Sequence, residues 1–124
     1  MADILVIGPN YRSRLMIKNM LEGAGHTVST AETFAQGHRE LSQSGSDAVL
    51  TDLEAMPEAE VLQCIAQLRA QFPRVKILVV ARQEEPLDFL AVRMMGAHDV
   101  LTQPLETKTL LEAVQQVLRE QEGS

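Results

Sequence analysis

The sequence predicts an α/β fold in which five parallel β-strands alternate with five α-helices. Short continuous apolar runs recur along the chain, and such runs are typical of strands that are buried on both faces of a parallel sheet. Longer stretches in which apolar residues recur at helical spacing separate these runs. With 124 residues, the chain has the length of one domain with its own core. Right-handed crossovers then place helices on both faces of the sheet.

Three of the predicted strands have strong apolar runs and two have weak ones. The strong runs are residues 4–7, 48–50 and 77–81, and the weak runs are residues 27–28 and 100–101. The helical stretches are residues 11–24, 34–43, 58–71, 86–95 and 105–119. We expect residues 1–120 to form the domain and residues 121–124 to be a flexible tail.

Each predicted helix has an apolar face that we expect to pack against the sheet. In chain order these faces hold Leu15, Met16, Met20 and Leu21; Phe34, Ala35, His38 and Leu41; Val61, Leu62, Ile65, Ala66 and Leu68; Phe89, Leu90, Val92 and Met94; and Leu110, Leu111, Val114, Val117 and Leu118. Capping and breaking residues mark the helix ends. They are Gly23 and Gly25 after the first helix, Thr33 before the second, Pro57 and Phe72-Pro73 around the third, and Pro86 and Gly96 around the fourth.

Composition and charge exclude several classes of protein. Acidic residues outnumber basic ones, 17 to 11, for a net charge of −6, which disfavours a nucleic-acid surface. The single cysteine, Cys64, excludes an internal disulfide framework and fits a cytoplasmic protein. No apolar run reaches the roughly 20 residues that a membrane span needs. Aromatic residues make up 3% of the chain, which disfavours a flavodoxin-like cofactor-binding function.

The histidines and the cysteine form no catalytic or metal-binding pattern. His26, His38 and His98 lie on different predicted elements and lack the spacing of metal ligands. Cys64 falls on the apolar face of the third helix, so we expect it to pack in or near the core.

Candidate functional residues follow the strands, because ligands of an open α/β sheet bind beyond the carboxyl ends of the strands. In chain order these residues are Gly8, Pro9 and Asn10 after the first strand; Thr51, Asp52, Leu53 and Glu54 after the third; Ala81, Arg82 and Gln83 after the fourth; and Thr102, Gln103 and Pro104 after the fifth.

Three segments stand in this order along the chain: ILVI at residues 4–7, DAVLTDLEAMP at 47–57 and GAHDVLTQP at 96–104. Through these segments the sequence resembles the CheY-like receiver domain of two-component response regulators, over essentially its whole length. The resemblance implies a flavodoxin-like fold with the strand order 2-1-3-4-5. It also implies that Asp52 stands at the position that accepts a phosphoryl group from a histidine kinase, and that the Gln103–Pro104 peptide bond is cis.

The chain departs from the family pattern at the other site positions. The family places two acidic residues that hold Mg²⁺ where Gly8 and Pro9 stand, and a serine or threonine where Ala81 stands. It places a lysine at the position of Gln103, and often a tyrosine or phenylalanine at the position of Val100. Of the site positions that the resemblance implies, only Asp52 keeps the family's residue.

These departures predict a degenerate receiver domain, or pseudo-receiver. Phosphoryl transfer depends on positioning and on neutralisation of negative charge, and Mg²⁺ prefers octahedral oxygen ligands that include carboxylates. Asp52 alone offers one carboxylate, and Glu54 is the best remaining candidate ligand by proximity, ahead of Asn10, Glu84 and Glu85. We therefore predict that Asp52 is not efficiently phosphorylated, and that the protein is not an enzyme and needs no cofactor.

The predicted function is that of a protein-interaction or dimerisation module in two-component signal transduction. Its expected partner is a histidine kinase or another signalling protein, and the surface of helix 4, strand 5 and helix 5 is a candidate homodimer interface. The alternative is a functional receiver that a histidine kinase phosphorylates on Asp52 in the presence of Mg²⁺.

Overall fold

The computed structural model describes residues 1–52, 56–82 and 88–120. Within these residues, strands and helices alternate in the order β1 (Asp3–Ile7), α1 (Tyr11–Gly23), β2 (Thr27–Ala31), α2 (Phe34–Ser44), β3 (Ala48–Asp52), α3 (Glu58–Gln71), β4 (Lys76–Arg82), α4 (Phe89–Met94), β5 (Asp99–Gln103) and α5 (Thr107–Arg119). The strands form one parallel sheet in the order β2-β1-β3-β4-β5. The predicted α/β fold and its strand order are confirmed.

The sheet separates two hydrophobic clusters. Because side chains alternate along a strand, Ile4 and Val6 of β1 face one cluster, which α1 and α5 complete. Leu5 and Ile7 face the other cluster, which includes residues of α2, α3 and α4. The central strands are buried on both faces, which explains their uninterrupted apolar runs.

The two weak strands are longer than their apolar runs. β2 pairs with β1 over the whole of Thr27–Ala31, and β5 pairs with β4 over Asp99–Gln103. Both strands lie at the edges of the sheet, where polar residues such as Ser29 and Thr30 are tolerated on the more exposed positions. Apolar content therefore located these strands but underestimated their length.

Most of the predicted helix ends are found in the structure. The Thr33 side chain accepts a hydrogen bond from the backbone N–H of Gln36 at 3.1 Å and caps α2. Pro57 precedes α3, and Phe72 ends it. Gly96 follows α4 with φ 129°, a conformation that glycine adopts readily. Pro86 and the tail at 121–124 lie outside the described residues.

The predicted apolar face of α1 is wrong in part. Leu15 and Met16 are 41% and 39% exposed, and the buried residues are Arg14, Ile17 and Leu21. Arg14 turns inward because its Nη1 donates a hydrogen bond to the backbone oxygen of Gly8 at 2.5 Å. Ile17 and Leu21 on the same side of the helix are fully buried in the core, and Leu15 and Met16 point towards solvent.

The faces of α2 and α4 also differ from the prediction. In α2, Ala35 is exposed and Gly37 is buried against Ile7 of β1, which allows a close approach of helix and strand. α4 has six residues and buries Val92. The other residues of its predicted apolar face, Phe89, Leu90 and Met94, are exposed. Six residues make fewer than two helical turns, so few positions of α4 face the core and most of its apolar residues remain on the surface.

The helices of the described residues are too short or too polar for any of them to cross a lipid bilayer.

Candidate functional site

Asp52 lies at the carboxyl edge of the sheet, as the last residue of the central strand β3. It is 2% exposed, which is unusual for a carboxylate. Gly8 follows β1 on one side of Asp52, and Gln103 ends β5 at the same edge. The parallel topology thus brings these three sequence-predicted residues together.

Gln103 makes a direct contact with Asp52. Its Nε2 donates a hydrogen bond to Oδ2 of Asp52 over 3.1 Å. The amide is uncharged, whereas the family resemblance implies a lysine at this position. The contact satisfies part of the hydrogen-bonding capacity of the carboxyl group but adds no positive charge that would offset an incoming phosphoryl group.

Gly8 packs directly against the backbone of Asp52. A Cβ atom at position 8 would lie 3.1 Å from Cβ of Asp52 and 3.2 Å from its backbone oxygen. Both distances are shorter than ordinary van der Waals contact, so a side chain at position 8 would require Asp52 or its own strand to shift by a few tenths of an ångström. In this arrangement, the position that the family resemblance gives to a metal-binding carboxylate has little room for any side chain.

The other site positions contribute no polar side-chain atom. Ala81 is 5% exposed in β4 and carries a methyl group where the resemblance implies a hydroxyl. The ring of Pro9 lines a cavity beside Asp52. Leu50 and Leu101 belong to the hydrophobic cluster on one face of the sheet. Val100 packs against the cluster on the other face. The Gln103–Pro104 peptide bond is cis.

The residues that the structure describes do not fit Mg²⁺. They contain no group of three histidine, cysteine, aspartate or glutamate side chains that could hold a metal ion. Oδ1 of Asn10 accepts a hydrogen bond from the backbone N–H of Ser13, so this side chain caps α1. Asp52 alone supplies one carboxylate, whereas Mg²⁺ binds in near-ideal octahedral oxygen geometry. Three further candidate ligands, Glu54, Glu84 and Glu85, lie outside the described residues.

Arg14 is a site residue that the sequence analysis missed. Its side chain is largely buried, and its two terminal nitrogens contact the backbone oxygen of Gly8 and, at 4.0 Å, Oε1 of Glu32. The apolar pattern of α1 gave no signal for this role, since the pattern ranks an arginine as surface. The one feature of the sequence that indicates this contact is the position of Arg14, one turn into the helix that follows Gly8.

A cavity of about 360 Å³ adjoins Asp52. Its apolar lining includes Ile7, Pro9, Phe34 and Met56, and Cys64 lies at its wall. Burial, reinforced by the nearby charge of Glu60, raises the pKa of the Cys64 thiol. The thiol therefore stays protonated near neutral pH, as expected for a packing residue rather than a nucleophile.

Comparison with known proteins identifies the family. The sequence model described as the response regulator receiver domain matches residues 4–115. The chain is similar to protein PilH of Pseudomonas aeruginosa, with 31% identity over 120 residues that cover 95% of this chain and 98% of PilH. It is also similar to the KDP operon transcriptional regulatory protein KdpE of Escherichia coli, with 30% identity over 84% of this chain and 45% of KdpE. The chain thus spans about half the length of KdpE.

Solved structures show the same fold. A response regulator from Thermotoga maritima aligns with a TM-score of 0.84 at 25% identity, covering 95% of this chain and 98% of that one. The chemotaxis protein CheY4 of Vibrio cholerae aligns with a TM-score of 0.83 at 24% identity, covering 94% of this chain and 98% of that one. Together with the matched residues 4–115, these likenesses show that the chain belongs to the response regulator receiver domain family of two-component signalling.

Proposed function

We propose that this chain is a degenerate receiver domain that acts as a protein-interaction or dimerisation module, largely without aspartyl phosphorylation. The observation that carries the proposal is the composition of the edge around Asp52. Gly8 packs on Asp52, Ala81 lacks a hydroxyl, and the uncharged Gln103 occupies the place of the family's cation. We expect the protein to act in the cytoplasm, in keeping with its single, reduced cysteine.

Charge neutralisation supports this proposal. Attack by a carboxylate on a phosphoryl group brings negative charge towards negative charge, so the reaction depends on a metal ion and on cationic donors. Arg14 is a nearby cation, but its terminal nitrogens contact the backbone oxygen of Gly8 and the carboxylate of Glu32. Loss of one preorganised donor costs about 3–4 kcal/mol of transition-state stabilisation in comparable sites. Loss of the metal ligands, the hydroxyl and the lysine together predicts a reaction that is too slow for signalling.

An interaction function agrees with the family and with the surface of α4. Receiver domains bind histidine kinases and other signalling proteins. In this chain, Leu90 and Met94 are 68% and 77% exposed, and they are four positions apart, so they lie on one side of the helix. Apolar side chains with this degree of exposure are suited to burial against a partner. On this surface Arg93 and Asp99 form an ion pair at 2.8 Å, so their charges offset each other. The exposed apolar residues are therefore the feature that distinguishes the surface.

The test is phosphorylation by a small phosphodonor. The protein is incubated with acetyl phosphate and Mg²⁺ and weighed intact by mass spectrometry, beside the variant Asp52→Asn and a receiver domain that keeps both acidic residues and the lysine. We expect the control receiver to gain a phosphoryl group and this protein to remain unmodified. A phosphoryl adduct on the wild-type protein that is absent from Asp52→Asn would contradict the proposal.

A variant that restores residues of the family provides a second test of the proposal. The triple change Pro9→Asp, Ala81→Thr and Gln103→Lys returns one carboxylate, the hydroxyl and the cation, and it leaves Gly8 in place because that position is tightly packed. We expect the triple variant to gain an adduct at Asp52 that the wild-type protein does not form. The same experiment decides the alternative function, a Mg²⁺-dependent phosphoacceptor, for which the retained and buried Asp52 is the supporting observation.

A further inference from the structure

A second cavity lies at the opposite edge of the sheet from Asp52. Its volume is about 770 Å³, within the roughly 300–1,000 Å³ that is typical of small-molecule sites. It is lined by residues at the amino-terminal ends of the strands, among them Ala2, Asp47 and Lys76. Asp47 directly precedes β3 and Asp52 ends it five positions later, so the two edges are separated by about 16 Å.

The lining of this cavity is basic in an acidic protein. Among the residues that the structure describes, Arg74, Lys76 and Arg119 line it, against one carboxylate from Asp47. The whole chain has a net charge of −6. Arg74 lies in the connection before β4, Lys76 begins β4 and Arg119 ends α5, so the fold rather than a basic run in the sequence brings them together. A concave site with concentrated positive charge attracts anions.

Neighbouring contacts fix the walls of the cavity. Oδ2 of Asp47 accepts a hydrogen bond from the backbone N–H of Asp3 at 2.8 Å, which holds this carboxylate against the start of β1. The backbone N–H of Lys76 donates to the backbone oxygen of Asp47 at 3.0 Å. Lys76 is 7% exposed and begins β4, so the strand fixes its place in the cavity wall.

His26 adds an uncharged donor. Its Nδ1 accepts a hydrogen bond from the backbone N–H of Ala2 at 3.2 Å. Burial lowers the pKa of His26, so the ring is neutral near pH 7 and carries its proton on Nε2. Leu111 and Leu118 of α5 supply an apolar wall to the same cavity.

The helix dipole accounts for one of the cations but not for all of them. Arg119 lies in the last turn of α5, where a positive charge stabilises the negative end of the helix. Arg74 and Lys76 lie outside the helices, so this effect does not explain their position.

We propose that this cavity binds a small phosphorylated molecule, with its phosphates against Arg74, Lys76 and Arg119 and its less polar part against Leu111 and Leu118. Arginine is well suited to phosphate because its planar fork donates two hydrogen bonds. The cavity has ample room for a ligand larger than an inorganic ion. Such a site is independent of Asp52, which lies at the other edge of the sheet.

Calorimetric titration with ATP in the absence of Mg²⁺ tests the proposal, with adenosine as the comparison ligand that lacks phosphates. We expect saturable binding of ATP and none of adenosine. The double variant Arg74→Gln and Arg119→Gln leaves the buried Lys76 intact and should weaken ATP binding by at least about tenfold. The matched control, Arg12→Gln and Lys108→Gln, makes the same change in net charge at positions that do not line the cavity.

Three results would overturn this site. They are no saturable binding of ATP up to millimolar concentration, equal binding of adenosine, and equal weakening by the cavity and control variants. The last result would indicate a diffuse charge effect. Binding that persists in Asp52→Asn would support the independence of the cavity from the phosphoacceptor edge, whereas loss of binding in that variant would contradict it.

Discussion

Gln103 and Asp52 form a contact in which an uncharged amide donates to a buried carboxyl group. A lysine at position 103 would add a charge that favours a phosphorylated state, whereas the glutamine amide donates a hydrogen bond without a charge. In the family, the residue at this position neutralises a phosphoryl group. In this chain, Gln103 instead helps to hold Asp52 in place. Removal of this donor should therefore affect stability.

Replacement of Gln103 by alanine is expected to lower the free energy of unfolding by about 1–3 kcal/mol, because Asp52 loses a hydrogen bond in a buried site. Gln103→Glu keeps the size of the side chain but places a second carboxyl group beside Asp52, so it should cost more at neutral pH and less as acid protonates the pair. Urea unfolding measures both effects. The control is Gln67→Ala on the exposed surface of α3, which should change stability by less than about 0.5 kcal/mol. Equal effects of Gln103→Ala and Gln67→Ala would show that the contact is not stabilising.

At the scale of elements, α4 is the helix whose sequence and environment disagree most. Only Val92 of this helix is buried, and its other large apolar residues face outward. Apolar surface of this kind is the feature that we connect with dimerisation or partner binding. Its role can be separated from folding, since exposed positions can be changed with little effect on the monomer.

The double variant Leu90→Lys and Met94→Lys is expected to abolish concentration-dependent self-association, because it places two charges on the surface that a partner would cover. Sedimentation equilibrium measures the effect. Leu15→Lys with Met16→Lys on α1 is the matched control, since these residues are also apolar and exposed, and it should leave association unchanged. A wild-type protein that stays monomeric at every concentration would exclude dimerisation through α4, as would a double variant that associates like the wild type.

The helices show what could be predicted from the sequence and what could not. The apolar pattern of α5 predicted Leu110, Val114 and Val117 as core residues, and all three are buried. In α1 the apolar residues are consecutive enough to fit more than one helix face, and the buried face is the one that also carries Arg14, whose side chain donates a hydrogen bond to the backbone oxygen of Gly8. Such a contact depends on the distance between a helix and a strand end, which no local pattern contains.

The candidate site, like the helices, could be predicted from the sequence only in part. The sequence places Gly8, Asp52 and Gln103 at one edge because the carboxyl ends of parallel strands meet there. The hydrogen bond between Gln103 and Asp52, and the close packing of Gly8 on the backbone of β3, depend on side-chain conformation and on the separation of the strands. These details became visible only in three dimensions.

At the scale of the whole molecule, the fold separates two regions of opposite chemistry. One edge of the sheet holds Asp52 beside a cavity whose lining is largely apolar and also includes Glu32 and Glu60. The other edge holds the basic cavity around Arg74 and Lys76. The family supplies the sheet that creates both edges, and it does not by itself determine the function of either. The site residues of this chain are therefore the basis for the proposal that signalling here does not depend on aspartyl phosphate.

Titration with Mg²⁺, followed by nuclear magnetic resonance of the backbone amides, tests the central claim most directly. A receiver that binds the ion shows saturable shifts at the residues around its acceptor aspartate. For this protein we expect no saturable shift at Gly8, Asp52 or Gln103 as Mg²⁺ is raised through the millimolar range. Saturation at those amides that disappears in Asp52→Asn would show that the edge does assemble a metal site, and the degenerate-receiver proposal would be wrong.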